Sequence, residues 1–238
     1  MSGTEQAVAI ITGGSQGIGA GLVAGYRKRG WAVVANAQKI EPPADTGIVT
    51  VAGDISKPAT ADLIMGTALG RFGHVDTLVN NAGVYISKPF TDYTADEYAL
   101  VTGVNLSGFF WLTQLVIGHM VSRGRGHVVN IGATIAERPD SASPSVLAAL
   151  TKGGLSAATQ SLAIEYASHG IRVNAVAPGI IQTPMHPDEE IAALGDRMPP
   201  LRRVGAVDDV VDSILFLESA PFITGEILHV DGGQNVGH

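Results

Sequence analysis

Short apolar runs rich in β-branched residues alternate with longer segments along the whole chain. The runs are apolar throughout rather than at every second position, which is typical of strands buried on both faces. Segments of helical length separate them, which predicts right-handed crossovers and a parallel sheet with helices on both sides. The seven runs are AVAIIT (7–12), AVVANA (32–37), GIVTVAG (47–53), VDTLVN (75–80), GHVVNI (126–131), IRVNAVAP (171–178) and EILHVDGG (226–233).

Several local signals mark helices and loops between these runs. TADE at 94–97 has the pattern of a capping box, from Thr94 to Glu97, and predicts a helix start. DDVVDSILFLES, from Asp208, is amphipathic, with acidic residues where the helix dipole favours them. The segment 180–206 is rich in proline and has little periodicity, which predicts a mobile loop. We find no linker or repeat, so we expect one domain over residues 1–238.

One stretch, 98–122, contains no Asp, Glu, Lys or Arg and is long enough to span a bilayer. Polar residues interrupt it, namely Thr102, Asn105, Thr113, Gln114 and His119. A helix that is apolar nearly all round is typically buried in a core or between subunits. We therefore expect a buried helix and no membrane partner.

Composition narrows the function classes. The 238 residues, 45% apolar and 16% charged, suffice for one substantial core. A net charge of −7 argues against binding nucleic acid or an anionic membrane. Since there is no cysteine, disulfides, thiolate nucleophiles and thiolate metal sites are excluded, and we predict no metal site. No basic segment precedes an apolar run at the N-terminus, so we expect a cytoplasmic protein.

The first chemical motif is TGGSQGIG, residues 12–19, between the first strand and a helix. Glycines at 13, 17 and 19 permit a tight turn and let a phosphate approach the N–H groups at the positive end of the helix. This context indicates a dinucleotide site in a Rossmann-type doubly wound sheet.

Six further motifs follow in order: GDIS with Asp54, NNAG at 80–83, VNLSG with Asn105, TKGGL with Lys152, IRVNAVAPG ending at Gly179, and GEILHVDGGQ at 225–234. With the glycine turn, they make the whole chain resemble the short-chain dehydrogenase/reductase family. The resemblance implies an NAD(P)-dependent oxidoreductase acting on a small-molecule substrate. It also implies a homo-oligomer, a dimer or tetramer, which the apolar stretches on the predicted surface favour.

The resemblance assigns cofactor roles to many positions. Asp54 would accept a hydrogen bond from the adenine amino group, and Ile55 would flank that ring. Asn81 would pack beside the ribose, and Thr183 would approach the carboxamide. The full set of implied cofactor-binding residues is Thr12, Gly13, Ser15, Gln16, Gly17, Ile18, Gly19, Lys39, Asp54, Ile55, Asn81, Ala82, Gly83, Lys152, Pro178, Gly179, Ile180 and Thr183.

The end of the second strand bears on the choice between NAD and NADP. Relatives that select NAD usually place a carboxylate there, but this chain has Ala37. Lys39 lies close by and could meet a 2′-phosphate. Gln38 and Gln16 stand where NADP-dependent relatives often have basic residues. We expect NADP rather than NAD.

The catalytic positions depart from the family pattern. Of the four groups that the family uses, Lys152 and Asn105 match. The tyrosine, four residues before the lysine, is replaced by Ala148, and the serine after NIG by Ala133. Ser145 stands seven residues before the lysine, where enoyl reductases of the family place their tyrosine. The implied catalytic residues are therefore only Lys152 and Asn105.

Other groups could supply the missing proton. The candidates near the expected substrate pocket are a water held by Lys152 and Asn105, and the side chains of Thr134, Tyr85, His186, Ser141, Ser143 and Ser145. Three readings stay open. The chain is an oxidoreductase with an atypical site, acting on a carbonyl, imine or quinone-like substrate; or a non-catalytic nucleotide-binding sensor or partner of an active relative; or a non-redox lyase or isomerase.

Overall fold

The computed structural model describes residues 5–186, 188–195 and 198–237. Strands and helices alternate along this part of the chain. In order they are β1 (Val8–Thr12), α1 (Gly17–Lys28), β2 (Ala32–Ala37), β3 (Ile48–Ala52), α2 (Pro58–Phe72), β4 (Thr77–Asn80), α3 (Ala95–Thr102), α4 (Gly108–Arg123), β5 (Gly126–Ile131), α5 (Val146–Tyr166), β6 (Ile171–Pro178), α6 (Asp188–Ala192), α7 (Val207–Ser219) and β7 (Ile227–Val230).

The described strands form one parallel sheet of seven, in the order β3-β2-β1-β4-β5-β6-β7. Each of them falls within one of the apolar runs, so the predicted fold class is confirmed. The order reverses between β1 and β4, where Ile11 is in register with Ala35 on one side and with Val79 on the other. In sheets of this kind ligands bind beyond the carboxyl ends of the strands at such a switch point.

The core has two halves because consecutive residues of a strand face opposite sides of the sheet. Ile10, Leu78 and Val128 pack with residues of α2 and α4 in one half. Their neighbours in sequence, including Ile11 and Val79, pack with residues of α1 and α7 in the other. The edge strands β3 and β7 are only partly buried, so the expectation of burial on both faces fails there.

The apolar stretch 98–122 is accounted for by α3 and α4, which are joined by a π-helical turn at Gly103–Ser107. The capping box is confirmed, because Thr94 N donates to Glu97 Oε2 at 2.9 Å and Glu97 N to Thr94 Oγ1 at 3.2 Å. By its length and composition alone, the helical segment Ala95–Arg123 could cross a membrane. Its α4 part buries Leu112, Val116 and Met120 in the core. Most of α3 is exposed, so the expectation of one buried helix holds only for the α4 part.

A buried polar network lies at the amino edge of the sheet, opposite the switch-point cleft. Glu218 Oε2 accepts hydrogen bonds from Tyr26 Oη at 2.8 Å, Thr77 Oγ1 at 2.9 Å and His127 Nδ1 at 3.2 Å. Burial acts to raise the pKa of Glu218, but these donors outweigh it and hold the pKa below its ordinary value. The network ties α7 to α1, β4 and β5, far from the carboxyl edge.

In its described residues, the predicted loop 180–206 contains one short helix, α6, and two isolated bridges, Ile181 with Gly205 and Thr183 with His186. Residues 187, 196 and 197 of this loop lie outside the described part, as do 1–4 and 238. The bridges return the chain to the carboxyl end of β6. The loop thereby forms one wall of the cleft.

Candidate active site

The glycine turn joins β1 to α1 at the switch point. Gly13 and Gly17 have φ of +67° and +53°, in the left-handed region that favours glycine. Gln16 precedes α1 in an extended conformation, and its side chain makes no capping hydrogen bond. The first N–H groups of α1 therefore donate no hydrogen bond to the N-cap side chain, which suits the binding of an anion.

Hydrogen bonds hold the glycine turn against the segment that follows β4. Thr12 Oγ1 accepts hydrogen bonds from Asn81 N and Ala82 N, each at 3.0 Å. Asn81 Nδ2 donates to Thr12 O at 2.8 Å and Gly13 O at 3.2 Å. Asn81 thus ties the segment after β4 to the end of β1. A Cβ at Gly19 would overlap Gly13 O, so only glycine fits that position.

Two residues of the predicted nucleotide set are almost fully buried. Thr12 is 2% exposed, and its hydroxyl accepts from the segment after β4, so this side chain supports the turn. Ile55 is 6% exposed and packs within the core, where Gly108 leaves room for it. Asp54 Oδ1 accepts from Ser56 N at 2.9 Å, which orders the turn after β3.

The end of β2 presents the residues expected to distinguish the two nucleotides. Ala37 is the last residue of β2, and Gln38 and Lys39 after it are exposed. Asn36 is buried, and its Nδ2 donates to Val51 O at 2.9 Å and to Gly53 O at 3.3 Å. The exposed Lys39 therefore follows a strand end that is fixed to β3.

Lys152 lies on α5 and reaches toward the carboxyl end of β5. Its Nζ donates to Ile131 O at 2.7 Å. A Cβ at Gly83 would lie 3.2 Å from this Nζ and 3.5 Å from Asn105 Oδ1, so both polar atoms lie against Gly83. Burial lowers the pKa of Lys152 to about 8.

Asn105 lies in the π-helical turn and is 2% exposed. Its Oδ1 accepts from Val84 N at 2.9 Å, and its Nδ2 donates to Val84 O at 3.0 Å and Thr151 Oγ1 at 3.1 Å. The side chain is therefore engaged by protein atoms on both its oxygen and its nitrogen. Asn105 thereby holds the segment after β4 against α5 at Thr151, the residue before Lys152.

The two alanines put only methyl groups where the resemblance implies a serine and a tyrosine. Ala148 is 4% exposed, on the same helix as Lys152. Ala133 precedes a short 3-10 turn in an extended conformation. The neighbouring Thr134 is fully buried, and its hydroxyl donates to Asp231 Oδ2 at 3.1 Å and Ala177 O at 3.3 Å. Thr134 is therefore committed to the scaffold and is no replacement acid.

Most of the other candidate donors converge on one place. Tyr85 Oη lies 2.8 Å from Ser143 Oγ and 2.7 Å from Ser145 Oγ. The Tyr85 ring centroid is 6.3 Å from that of His186. Ser141 is exposed at the surface. The segment after β4, the start of α5 and the loop after β6 thus meet at Tyr85.

The loop after β6 closes the nicotinamide side of the expected site. Gly179 N donates to Val230 O at 3.1 Å, and Gly205 N to Ile180 O at 2.9 Å. A Cβ at Gly17 would lie 3.4 Å from the Thr183 side chain, so this loop borders the glycine turn. The loop predicted for the nicotinamide end therefore adjoins the turn predicted for the diphosphate.

Sequence reasoning missed two residues that support this cleft, Thr151 and Asp231. Thr151 Oγ1 donates to Leu147 O at 2.8 Å while accepting from Asn105. Asp231 accepts from Gly233 N at 2.9 Å and Asn235 N at 2.8 Å, besides Thr134. The Asp-Gly pair in HVDGG was a turn signal that pointed to Asp231.

Comparison with known proteins agrees with the geometry. A family model described as enoyl-(acyl carrier protein) reductase matches residues 13–235. The 3beta-hydroxysteroid dehydrogenase 1 of Eggerthella lenta is 34% identical over 246 residues, covering 95% of this chain and 93% of that protein. The chain belongs to the short-chain dehydrogenase/reductase family.

Solved structures of short-chain dehydrogenases/reductases share the whole fold. A 3-ketoacyl-(acyl-carrier-protein) reductase from Brucella melitensis, complexed with NADH, gives a TM-score of 0.90 at 32% identity, covering 97% of this chain and 99% of that one. ElxO with NADP bound gives 0.86 at 27% identity, covering 96% and 98%. Family membership makes the chain an NAD(P)-dependent oxidoreductase by class, and these neighbours are consistent with either nucleotide.

Proposed function

We propose that this chain is a short-chain oxidoreductase with an atypical site, which transfers hydride to or from a small carbonyl, imine or quinone-like substrate. The observation that carries the proposal is the position of Lys152. Its Nζ is held by Ile131 O and lies against Gly83, beside Asn105, at the carboxyl edge of the sheet. A single nucleotide-binding domain over the whole chain accounts for the order of the motifs.

The residues around the cleft fit a dinucleotide. The α1 N-terminus and the positive-φ glycines of its turn suit a diphosphate. We assign the Asp54 carboxylate to the adenine end, and Pro178, Gly179, Ile180 and Thr183 to the nicotinamide end. The bound nucleotide would supply or take up the hydride. Lys152 would hold the ribose, and Asn105 would fix the wall beside it.

We propose NADP as the preferred nucleotide. Ala37 supplies no carboxylate to bind a ribose diol, and the exposed Lys39 offers a positive charge two residues further on. A 2′-phosphate is attracted by such a charge, whereas a carboxylate would repel it. Binding of NADPH and NADH, measured by calorimetry, tests this preference. Tighter binding of NADH would contradict it.

The same site also supports a non-catalytic function. Ala133 and Ala148 provide no hydrogen bond to a substrate carbonyl, and Thr134 is engaged elsewhere. Such a protein would bind nucleotide as a sensor or as the partner of an active relative. A screen of carbonyls, imines and quinones, followed at the nicotinamide absorbance, separates the two functions. Nucleotide consumption above the protein-free rate supports the oxidoreductase, and binding without consumption supports the alternative.

We propose that the chain works as a cytoplasmic homodimer or homotetramer. Exposed apolar side chains on α4 and α5, among them Phe110, Leu150 and Ile164, support a subunit contact on these helices. A cavity of about 330 Å³ lies between the two helices and is lined by Leu106, Phe109, Trp111 and Leu155 among others. Light scattering should give the mass of two or four chains. The mass of one chain at micromolar concentration would contradict the proposal.

A further inference from the structure

The hydroxyl cluster at Tyr85 is the feature of the cleft that the proposed function leaves unexplained. The phenol oxygen lies within hydrogen-bond distance of both Ser143 Oγ and Ser145 Oγ. Around it, Lys88 N donates to Pro144 O at 2.9 Å, and Ser87 Oγ donates to the same oxygen at 3.0 Å. The segment 85–88 therefore pairs with 143–145, and the phenol is held at the start of α5.

The position of this phenol is set by the residues of the cofactor half. Tyr85 follows Val84, whose backbone N–H and C=O are both held by Asn105. Gly83, one residue earlier, lies against Lys152 Nζ. Ser145, Ala148 and Lys152 are spaced to share one face of α5. The phenol thus stands at the N-terminal end of α5, bonded to Ser145, which precedes Ala148 by about one helical turn.

The cluster can accommodate the phenol both with and without its proton. In the neutral state Ser145 Oγ donates to Ser143 O at 2.6 Å and can accept from the phenol. Once the proton has left, the hydroxyls of Ser143 and Ser145 can both turn to donate to the phenol oxygen, since either atom of each pair can be the donor. Two donors on an oxyanion are what a proton donor needs after it has reacted.

We propose that Tyr85 is the proton donor of this site, in place of the phenol that α5 lacks, with Ser143 and Ser145 as positioning residues. The assignment rests on the proposed oxidoreductase function. The bound nucleotide would supply a hydride to the carbonyl carbon, and the C=O π pair would become a lone pair on oxygen and take the proton from Tyr85 Oη. The Tyr85 O–H bond breaks, the product alcohol forms, and a proton from solvent restores the phenol.

A spectroscopic test of this assignment needs no substrate. The chain is labelled with 3-fluorotyrosine, and the ¹⁹F resonance of Tyr85 is identified by its absence from Tyr85→Phe. NADP⁺ carries a positive nicotinamide ring and NADPH a neutral one. The Tyr85 resonance should therefore shift differently with the two nucleotides, while that of the exposed Tyr98 on α3 stays unchanged. A Tyr85 resonance that responds identically to both bound nucleotides would overturn the assignment.

A kinetic test uses the most rapidly reduced compound of the carbonyl and quinone screen. Tyr85→Phe should lower kcat by ~10²–10⁴, the range for a positioned acid, and leave the Kd for NADPH unchanged. Ser145→Ala keeps the phenol and should lower kcat by a smaller factor with no change in KM. Tyr98→Phe serves as the matched control and should behave as the wild type.

The outcomes separate this inference from the proposed function. If the wild type binds neither nucleotide, the proposed function fails and the proton donor with it. If it binds NADPH but reduces none of the compounds, Tyr85 is not an acid, because a positioned phenol would support reduction of the most electrophilic of them. Tyr85→Phe with more than about a tenth of the wild-type kcat would also overturn the assignment, since a positioned acid contributes at least ~10²-fold. Should Tyr85→Phe not fold, the kcat of Ser145→Ala decides, and a kcat equal to that of the wild type would overturn the assignment.

Discussion

Asn105 holds Val84 by both of its backbone polar groups, accepting from its N–H at 2.9 Å and donating to its C=O at 3.0 Å. The amide side chain thus takes the place of a neighbouring strand for the residue after NNAG. Because Gly83 and Tyr85 flank Val84, this one side chain fixes the wall next to Lys152 and the phenol beyond it.

Replacing that amide should destabilise the fold. Asn105→Ala removes both partners of the part-buried N–H and C=O of Val84, and should lower the free energy of unfolding by about 1–3 kcal/mol. Urea denaturation measures the change, with the exposed Gln38→Ala as the control that stays near the wild type. A loss below about 0.5 kcal/mol would show that Val84 is held by other atoms.

The pH dependence of stability should reveal the buried amine of Lys152. Its pKa is lowered from 10.5 to about 8 by burial, so the native state disfavours the charged form. Below pH 8 the amine is protonated in both the folded and the unfolded chain, and the folded chain bears the full cost of burying its charge. Between pH 8 and 10.5 the unfolded chain binds more protons than the folded chain, so the free energy of unfolding rises with pH. The full penalty corresponds to ~3 kcal/mol.

Lys152→Met isolates that contribution. The variant should be more stable than the wild type at pH 7, because it removes a charged group from a buried position. The advantage should narrow as the pH rises through the window from 8 to 10.5. Denaturation midpoints at several pH values measure it, and a pH-independent difference between the two proteins would contradict the account.

Two helical glycines should respond in opposite directions to the same substitution. A Cβ at Gly25 of α1 would lie 2.8 Å from Val211 Cγ1 on α7, whereas a Cβ at Gly66 of α2 would meet nothing within 4 Å. Gly25→Ala should lower the free energy of unfolding by about 1–3 kcal/mol through overpacking. Gly66→Ala should raise it by about 0.5–1 kcal/mol, because alanine has the higher helix propensity. Thermal unfolding compares them, and equal signs would refute the close contact of α1 with α7.

The sheet was predictable from the sequence because its strands are short, apolar and separated by helices. All seven fall within the apolar runs, and the two edge strands depart only in how deeply they are buried. The capping box was predictable too, because it is local in sequence. Contacts that depend on tertiary packing were not predictable from the sequence. The π turn at Asn105 and the burial of Ile55 against Gly108 depend on how α4 meets the sheet.

The sequence predicted part of the grouping of residues at the candidate site. The glycine turn lies against Asn81, and Asn105 and Lys152 both lie against Gly83. The role of Thr12 was not foreseen, since its hydroxyl bonds a segment about 70 residues away in sequence. The convergence of Tyr85 with Ser143 and Ser145 is also long-range. No sequence pattern could distinguish these three hydroxyls from ordinary loop residues.

Restoring the family tyrosine should not create a strong ketone reductase. Ala148→Tyr adds a phenol one turn before Lys152, but Ala133 still offers no hydrogen bond to a carbonyl, and Ala148 is 4% exposed in a wall fixed by the Tyr85 cluster. NADPH oxidation with a panel of ketones should stay within a few-fold of the wild-type rate. A rise of ~10²–10⁴ would show that the site lacked one group only.

Calorimetric titration of NADPH into the wild type and Lys152→Ala tests the central claim, that the cleft is a nucleotide site organised around Lys152. The wild type should bind, with a hundredfold excess over Kd stabilising the fold by ~2.7 kcal/mol. Lys152→Ala should raise Kd at least tenfold, about 1.4 kcal/mol, and the exposed Lys28→Ala should leave it unchanged. No heat of binding from the wild type at millimolar NADPH, or equal Kd values for the wild type and Lys152→Ala, would contradict the account.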